Sequence, residues 1–448
     1  MKLIKIKKGW RYNIAGRPSA REAVVFSLKT VALVADRIPG KTRLLVKEGD
    51  AVNIGSALLA DKNNPDLKFM SPGGGRVSAI LYGPRRVIEE IVITLDTVEN
   101  FEPFDVFSKE TLDLNPRDAL VSELMARGLW PFLRQLPFRV IADPHITPSA
   151  IWVTLGSADP FQPLPQVYLK GQETVFELGV RALKKLSDRV NLCWYGDMPD
   201  DSRFLNEGVT HRITGRYPAT DPGVVLYHIK KTPAENRDWY IDGQDVIAIG
   251  QCLKEGRYPV DRVVSFSDGI PENSRHLKTR LGVQLRDLAA DIPISSDKQW
   301  VAGGILSGYA SSPDRHLDGY STSVMIVDIS RQSELFGFLR PGFKKLSRSR
   351  TLMSTFLLAP LPVNTDMHGE IRPCINCGYC ASVCPVDILP QFTCKSIWAD
   401  EIEEALAGGL LDCVECGLCS FVCPSKIELA ETLKTARKQY HKELHQVA

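Results

Sequence analysis

Between residues 44 and 95 short apolar, β-branched runs alternate with glycine turns: LLVKEGDAVNIGSALLADK, then FMSPGGGRVSAILYG, then RRVIEEIVITL. Alternate side chains of a strand face opposite sides, so this period, cut by glycines, predicts an all-β unit. From about residue 101 the pattern changes. A helix around Arg117 to Arg127, a strand over IWVTLG (Ile151 to Gly156), a helix over Glu173 to Lys185 and a strand over VNLCWYG follow in turn. That alternation predicts a parallel sheet in an α/β domain. Residues 258–308 read strand, turn, short helix, strand in YPVDRVVSFSDG, HLKTRLGVQLRDLA and VAGGILSGY, the order of a small β-grasp unit. Gly303, Gly304 and Gly308 suit turns as well as ligand contacts. Nearer the C-terminus, IWADEIEEAL (Ile397 to Leu406) reads as one helix.

A chain of 448 residues has room for about two to four domains, each able to bury a core without disulfides. Its 55 basic and 53 acidic residues leave a net charge of +2, which gives no footprint for nucleic acid. No stretch approaches the roughly 20 apolar residues that span a bilayer. The N-terminal MKLIKIKKGW has no apolar region behind its lysines, so a soluble, cytoplasmic chain is expected.

Cysteine changes this bland picture. Of 11 cysteines, eight fall between Cys374 and Cys423, which argues for metal and against disulfides. Cys374, Cys377, Cys380 and Cys384 precede Pro385; Cys413, Cys416, Cys419 and Cys423 precede Pro424. Both runs read C-x2-C-x2-C-x3-C-P, the spacing of ferredoxins with two [4Fe-4S] clusters, in which the fourth cysteine ligates the other cluster. The expected sets are therefore Cys374, Cys377, Cys380 and Cys423 for one cluster, and Cys413, Cys416, Cys419 and Cys384 for the other. The fourth cysteine is expected to begin a helix leading across to its partner site. Gly378 and Gly417 follow the second cysteine of each run, where a Cβ would crowd the approach of backbone amides to sulfide. Zinc is the competing metal, but its four-ligand sites usually recruit two separated pairs. Cys394, in the linker from Pro385 to Asp412, could serve as a spare ligand or as a small buried thiol, with burial favoured. Cys193 and Cys252 sit in apolar segments and read as core.

The pairing of EGD-x-V-x-x-G with SPGGGRV resembles the biotinyl/lipoyl barrel-sandwich hybrid, in which Lys62 would be the carrier lysine. It lies in DKNNPDLKF without a neighbouring methionine and off the usual tip, so a structural barrel is expected. In the α/β segment no G-x-G-x-x-G follows a strand. GSADPFQPLP and WYGDMPDD offer prolines and acid where phosphate would need bare amides. The expected division is a barrel-sandwich hybrid over 1–100, a Rossmann-like α/β domain over 101–255 and a β-grasp (SLBB-like) domain over 256–333. A basic and aromatic linker follows over 334–367, and then a helical two-cluster ferredoxin domain over 368–448. Within the linker, ELFGFLRPGFKKLSRSRTL (Glu334 to Leu352) reads first as a strip for docking a partner, ahead of a solvated linker or a membrane contact.

Taken together, IKKGW, IAGRPS, KNNPDLKFMSPGGGRV, GPRRVIEEIVI, RGLWPFLRQLPF, GQDVIAIG, YPVDRVVSFSDG and ELFGFLRPGFKKLSRSR resemble the NqrA family, the A subunits of the sodium-translocating NADH:quinone oxidoreductase, over nearly the whole chain. This family is related to the RnfC subunit of the Rnf complex. The latter would carry a glycine-rich flavin and NADH loop where this chain reads ARGLWPFLRQLPF, so no FMN or NADH is expected on this chain. The resemblance implies a peripheral protein at the cytoplasmic side of the membrane, contacting the membrane-embedded NqrB subunit and linked to quinone. Trp130, Phe132, Arg134 and Phe138 offer the apolar surface for that quinone, with ordinary packing as the alternative. The better-known members lack a full set of cluster cysteines, whereas this chain keeps eight. The expected role is electron relay through two clusters in the complex. The alternatives are an RnfC-type protein binding NADH and FMN, or a scaffold whose clusters are structural.

Overall fold

The computed structural model describes residues 1–19, 23–25, 28–198, 208–329, 341–343, 353–356, 359–361, 363–365 and 371–447. Two small antiparallel sheets form the barrel. One has four strands in the order Thr30–Val34, Ile88–Leu95, Gly75–Tyr82, Ala51–Val52, and the other three, Thr42–Leu44, Ala57–Asp61, Lys68–Met70. Val31, Leu58, Leu59, Phe69, Ile91 and Ile93 are buried in it; alternation sends Ile91 and Ile93 to one face, whereas consecutive Leu58 and Leu59 are both buried at a register shift in Ala57–Asp61. Lys62 is exposed in the turn before Lys68–Met70, and its N–H donates to the Lys41 carbonyl at 2.8 Å.

The α/β domain is built on a seven-stranded sheet. Its order is Lys2–Lys5, His211–Thr214, Val190–Tyr195, Ile151–Leu155, Trp239–Asp242, Arg134–Gln135, Val140–Ile141; the first five strands are parallel and the last two form an antiparallel edge. Helices Glu173–Leu186 and Gly243–Glu255 pack together on it through two glycines. A Cβ on Gly179 would come 2.2 Å from the Val246 carbonyl, and one on Gly250 would come 1.7 Å from that of Val175, so only glycine permits the approach. Parallel strands buried on both faces read as continuous apolar runs, which is why IWVTL and VNLCWY were legible.

A six-stranded mixed sheet follows, in the order Tyr309–Ser311, Lys298–Ala302, Ser323–Asp328, Asp261–Ser267, Arg275–Arg280, Val24–Val25. The short helix expected over HLKTRLGVQLRDLA is corrected. Arg275–Arg280 is a strand paired antiparallel with Asp261–Ser267, and only Leu285–Ala289 forms a 3-10 turn. Packing beside the neighbouring strand outweighs the local helical preference of this run.

Two short strands at the start of the chain pair outside the two barrel sheets. Lys2–Lys5 is a strand of the α/β sheet, while Val24–Val25 pairs with Leu277–Lys278 of the mixed sheet. A four-residue and a two-residue strand carry too little periodicity to declare their partners in sequence.

The C-terminal unit is helical: Tyr379–Val383, Pro390–Trp398, Ile402–Ala407, Leu418–Phe421 and Leu429–Val447. The single helix expected over Ile397 to Leu406 is broken at Ala399–Glu401, where Asp400 adopts a left-handed φ of 63°. The two short helices that result pack against each other. The basic strip Glu334 to Leu352 falls outside the described residues except at Pro341–Phe343. Among the described residues no helix is long and apolar enough to cross a membrane.

Candidate iron-sulfur site

The two cysteine runs are related by an internal repeat of 39 residues that holds in the backbone. Asn376 and Glu415 have φ of 53° and 54°, Gly378 and Gly417 of 75° and 76°, Asp387 and Lys426 of 55° and 56°. The longer helices begin at Pro390 and Leu429, again one repeat apart. The left-handed conformation favours glycine after the second cysteine, and an added Cβ at Gly378 would meet no protein atom within 4 Å. At Gly417 there is a contact as well, with a Cβ falling 2.9 Å from the Leu306 carbonyl of the mixed-sheet domain. The fourth cysteine does not begin a helix. Cys384 closes the helix Tyr379–Val383 in extended conformation, and the chain turns at Asp387 before the next helix starts at Pro390.

Cys374, Cys377 and Cys380 line one pocket together with Cys423 from the other run. Buried Gln391 lines it too, its side-chain amide 3.0 Å from the Cys380 Sγ. On the other side, the thiols that act electrostatically on Cys416 are Cys413 and Cys384, and those on Cys419 include Cys416 and Cys413. Burial pushes the Cys384 thiol up to about 11 and holds the Cys416 and Cys419 thiols higher still. Such thiols stay protonated when free and release their protons to iron. Among the described residues no three His, Cys, Asp or Glu side chains converge on one point as a single ion requires. The four cysteines of the first set line one pocket instead, which suits a cubane whose irons sit at separate corners. The donor set, sulfur alone at the spacing of a doubled cluster motif, fits [4Fe-4S] chemistry.

The surroundings of the two loops differ. The second is buried against the rest of the chain: the Tyr217 hydroxyl donates to the Cys416 carbonyl at 2.9 Å, Val414 lies against Gly223, and Phe421 meets Trp10 and Tyr12 edge-on. Buried Arg437, from the last helix, donates to the Cys413 carbonyl and pairs with Glu415 at 2.5 Å. Lys230 pairs with Asp412 at 2.6 Å, and His228 bonds the Pro385 carbonyl at 2.8 Å. None of these partners was legible in the sequence, because each comes from a distant segment of unremarkable composition. The first loop is more open among the described residues: Lys8 donates to the Ala381 carbonyl at 3.3 Å, while Cys374 and Cys377 are exposed.

Cys394 is fully buried between the two longer helices, its thiol 3.6 Å from the Leu429 carbonyl, as expected of a core residue. Cys193 and Cys252 are buried likewise.

The four residues expected at a quinone are not brought together. Trp130 is wholly buried, donates from Nε1 to the Ala142 carbonyl at 2.7 Å and stacks edge-on with Trp239; Phe132 is buried beneath Arg262. Arg134 bonds the Arg139 carbonyl and lies over Tyr320. Phe138 alone reaches the C-terminal helix, 4.4 Å from the His441 ring, and lines a groove with Arg139, Tyr227, Cys413 and Tyr440. The crevice between strands Ile151–Leu155 and Trp239–Asp242, where a nucleotide would enter such a sheet, is filled by the mixed sheet. Gln244 exchanges two hydrogen bonds with the Val263 backbone, Asp245 pairs with buried Arg262 at 2.7 Å, and Ser265 donates to the Phe161 carbonyl.

Fold and cysteine geometry define a multidomain α+β protein: a barrel-sandwich hybrid and an α/β domain followed by a 4Fe-4S ferredoxin-like region. Family models match in the same order: the NqrA N-terminal barrel-sandwich hybrid domain over 4–96, the NqrA second alpha/beta domain over 115–258, and a 4Fe-4S dicluster domain over 373–427. The A subunit of the Na(+)-translocating NADH-quinone reductase of Klebsiella pneumoniae (strain 342) is 32% identical over 413 residues, covering 91% of this chain and 92% of its own. That of Yersinia pestis bv. Antiqua (strain Angola) is 33% identical over 414 residues, and that of Pasteurella multocida (strain Pm70) 31% over 412, with the same shares covered. The chain belongs to the NqrA family, the A subunits of the Na(+)-translocating NADH-quinone reductase.

Proposed function

We propose that this chain is a peripheral component of a sodium-translocating NADH:quinone reductase and holds two [4Fe-4S] clusters that relay electrons within it. Each cluster, when bound, takes up and gives back one electron. The observation that carries the reading is the pocket in which Cys423 joins Cys374, Cys377 and Cys380. By the 39-residue repeat, Cys384 joins Cys413, Cys416 and Cys419. The chain's own contribution is to fix eight thiolates, exclude water from the second loop and supply buried dipoles and charge around it. NADH oxidation and sodium movement then belong to other subunits, with the membrane-embedded NqrB subunit as the contact and the cytoplasmic face as the location. The parallel order, with Ile151–Leu155 and Trp239–Asp242 at its centre, supports a Rossmann-like domain. The mixed sheet, with Asp261–Ser267 parallel to Ser323–Asp328 between two hairpins, supports a β-grasp unit. We assign no flavin or nicotinamide to the filled crevice.

Anaerobic reconstitution followed by iron and sulfide analysis and EPR tests the reading. Two reducible cubane signals are expected, one lost in Cys377→Ser and the other in Cys416→Ser, each with altered turnover of the complex. Zinc at these thiols without a cubane signal overturns it, and unaltered turnover leaves the clusters a structural role only. A quinone contact, if confined to what the fold leaves open, is at Phe138 and its groove. Photo-crosslinking with a quinone analogue is expected to label that stretch, and an analogue that never labels residues 127–138 removes the contact.

A further inference from the structure

The internal repeat presents one loop twice, once covered and once bare. Around Cys416 the covering groups come from this chain: Tyr217 on the carbonyl, Leu306 over Gly417 and Gly223 beside Val414. At the equivalent positions of the first loop, Ile375 stands where Val414 does and Tyr379 where Leu418 does. Ile375 is 68% exposed and Tyr379 39%, while Val414 and Leu418 are buried. Ile371, Leu389 and Phe392 add to the exposed apolar rim, with Phe392 next to the Gln391 that lines the same pocket. A large apolar surface beside two exposed ligand cysteines is costly to leave in water, and such patches mark interaction sites.

Resting on the cluster reading above, we propose that this bare loop is the port through which the chain exchanges electrons with a second protein, one that carries a one-electron centre behind an acidic face. Three cations surround the rim. Arg372 bonds the Pro424 carbonyl, Lys395 lies over the Phe392 ring, and Lys426 is three residues beyond Cys423; the acids on this side among the described residues include Glu428 and Asp387, the latter neutralised by Lys8 at 2.7 Å. The rim is thus basic around an apolar centre, the arrangement that steers an acidic partner and then excludes water from the contact. In the exchange, one electron leaves the partner's centre and enters the cluster held by Cys374, Cys377, Cys380 and Cys423. The partner is oxidised and the cluster reduced by one, with no proton or bond transferred. The buried set around Cys413 is then the inner member of the pair.

The full chain with reconstituted clusters tests this, with a reduced acidic [2Fe-2S] ferredoxin as probe. Calorimetric titration and stopped-flow absorbance are expected to show binding and transfer that weaken with added salt and exceed those of a basic cytochrome of similar size. The double variant F392E and K395E is expected to lower both affinity and second-order rate by about tenfold or more. Dithionite reduces its clusters with unchanged EPR signals, and Lys395→Arg retains the wild-type rate. Unaltered affinity and rate in the double variant, with cluster signals intact, overturn the docking face alone. Dimerisation of the chain, or sedimentation with anionic phospholipid vesicles, that F392E and K395E abolish would assign the face to another occupant and overturn it equally. A wild-type chain without cluster signals overturns the reading beneath it, and the port with it.

Discussion

Trp130 shows what a side chain's identity leaves open. An aromatic after a helix end suits a ligand wall or a core, and the hydrogen bond from its indole to the Ala142 carbonyl, with Trp239 meeting it edge-on, makes it core. Trp130→Ala should therefore cost about 3–5 kcal/mol in thermal or denaturant unfolding without altering quinone affinity in the molecules that remain folded. Buried Arg437 pairs with half-buried Glu415 beside Cys413, with no charged counterpart in the first half, where Trp398 stands at the position of Arg437 and Asn376 at that of Glu415. Cluster potentials follow local charge. Arg437→Gln should move the midpoint of the inner cluster negative and Glu415→Gln move it positive, on the order of tens of millivolts, with the outer cluster unmoved in an EPR-monitored titration. A common shift in both clusters would contradict this. Asp159 accepts from the Ile305 amide at 3.2 Å, faces Tyr12, Tyr217 and Arg17, and burial raises its carboxyl to about 6. A raised carboxyl binds its proton more tightly in the folded chain, so its contribution is complete below pH ~4 and is lost as pH rises through 6. Between pH 5 and 7 the melting temperature of the wild type should fall relative to that of Asp159→Asn.

Elements were legible where their periodicity was long. Ile151–Leu155, Val190–Tyr195 and Glu173–Leu186 lie where the apolar pattern put them, and the barrel strands follow their glycine turns. The misses share a cause: contacts that local composition does not encode. Arg275–Arg280 became a strand because Asp261–Ser267 lies beside it, and the break at Asp400 reflects how two helices pack. At the cysteines the ligand chemistry was legible from spacing alone, while the burial of one loop and the exposure of the other were not. Helix Gly243–Glu255 makes the same point, since its Asp245 meets Arg262 from the next domain with both nearly buried. Arg262→Met, which strands that carboxylate, should lower stability by about 3 kcal/mol, and adding Asp245→Asn should recover part of the loss. Equal destabilisation in both variants would mean that Arg262 acts by packing alone.

The whole molecule is joined through its edges as much as through linkers. Glu90 of the barrel, fully buried, accepts from His316 at 2.9 Å and from Arg315 at 2.7 Å of the mixed-sheet domain, and Tyr217 and Lys230 tie the α/β domain to the cysteine loops. The N-terminal strand Lys2–Lys5 has an order of events built into it. It leaves the ribosome long before its neighbour in the sheet among the described residues, His211–Thr214, which is some 200 residues downstream. At about 5–20 residues per second that neighbour emerges roughly 10–40 seconds later. Until then Lys2–Lys5 lacks the neighbour it has among the described residues, so the barrel forms beside an unpaired strand and the parallel sheet closes late in synthesis. A chaperone that holds the nascent chain should thus be released only after residue 214 has cleared the exit tunnel.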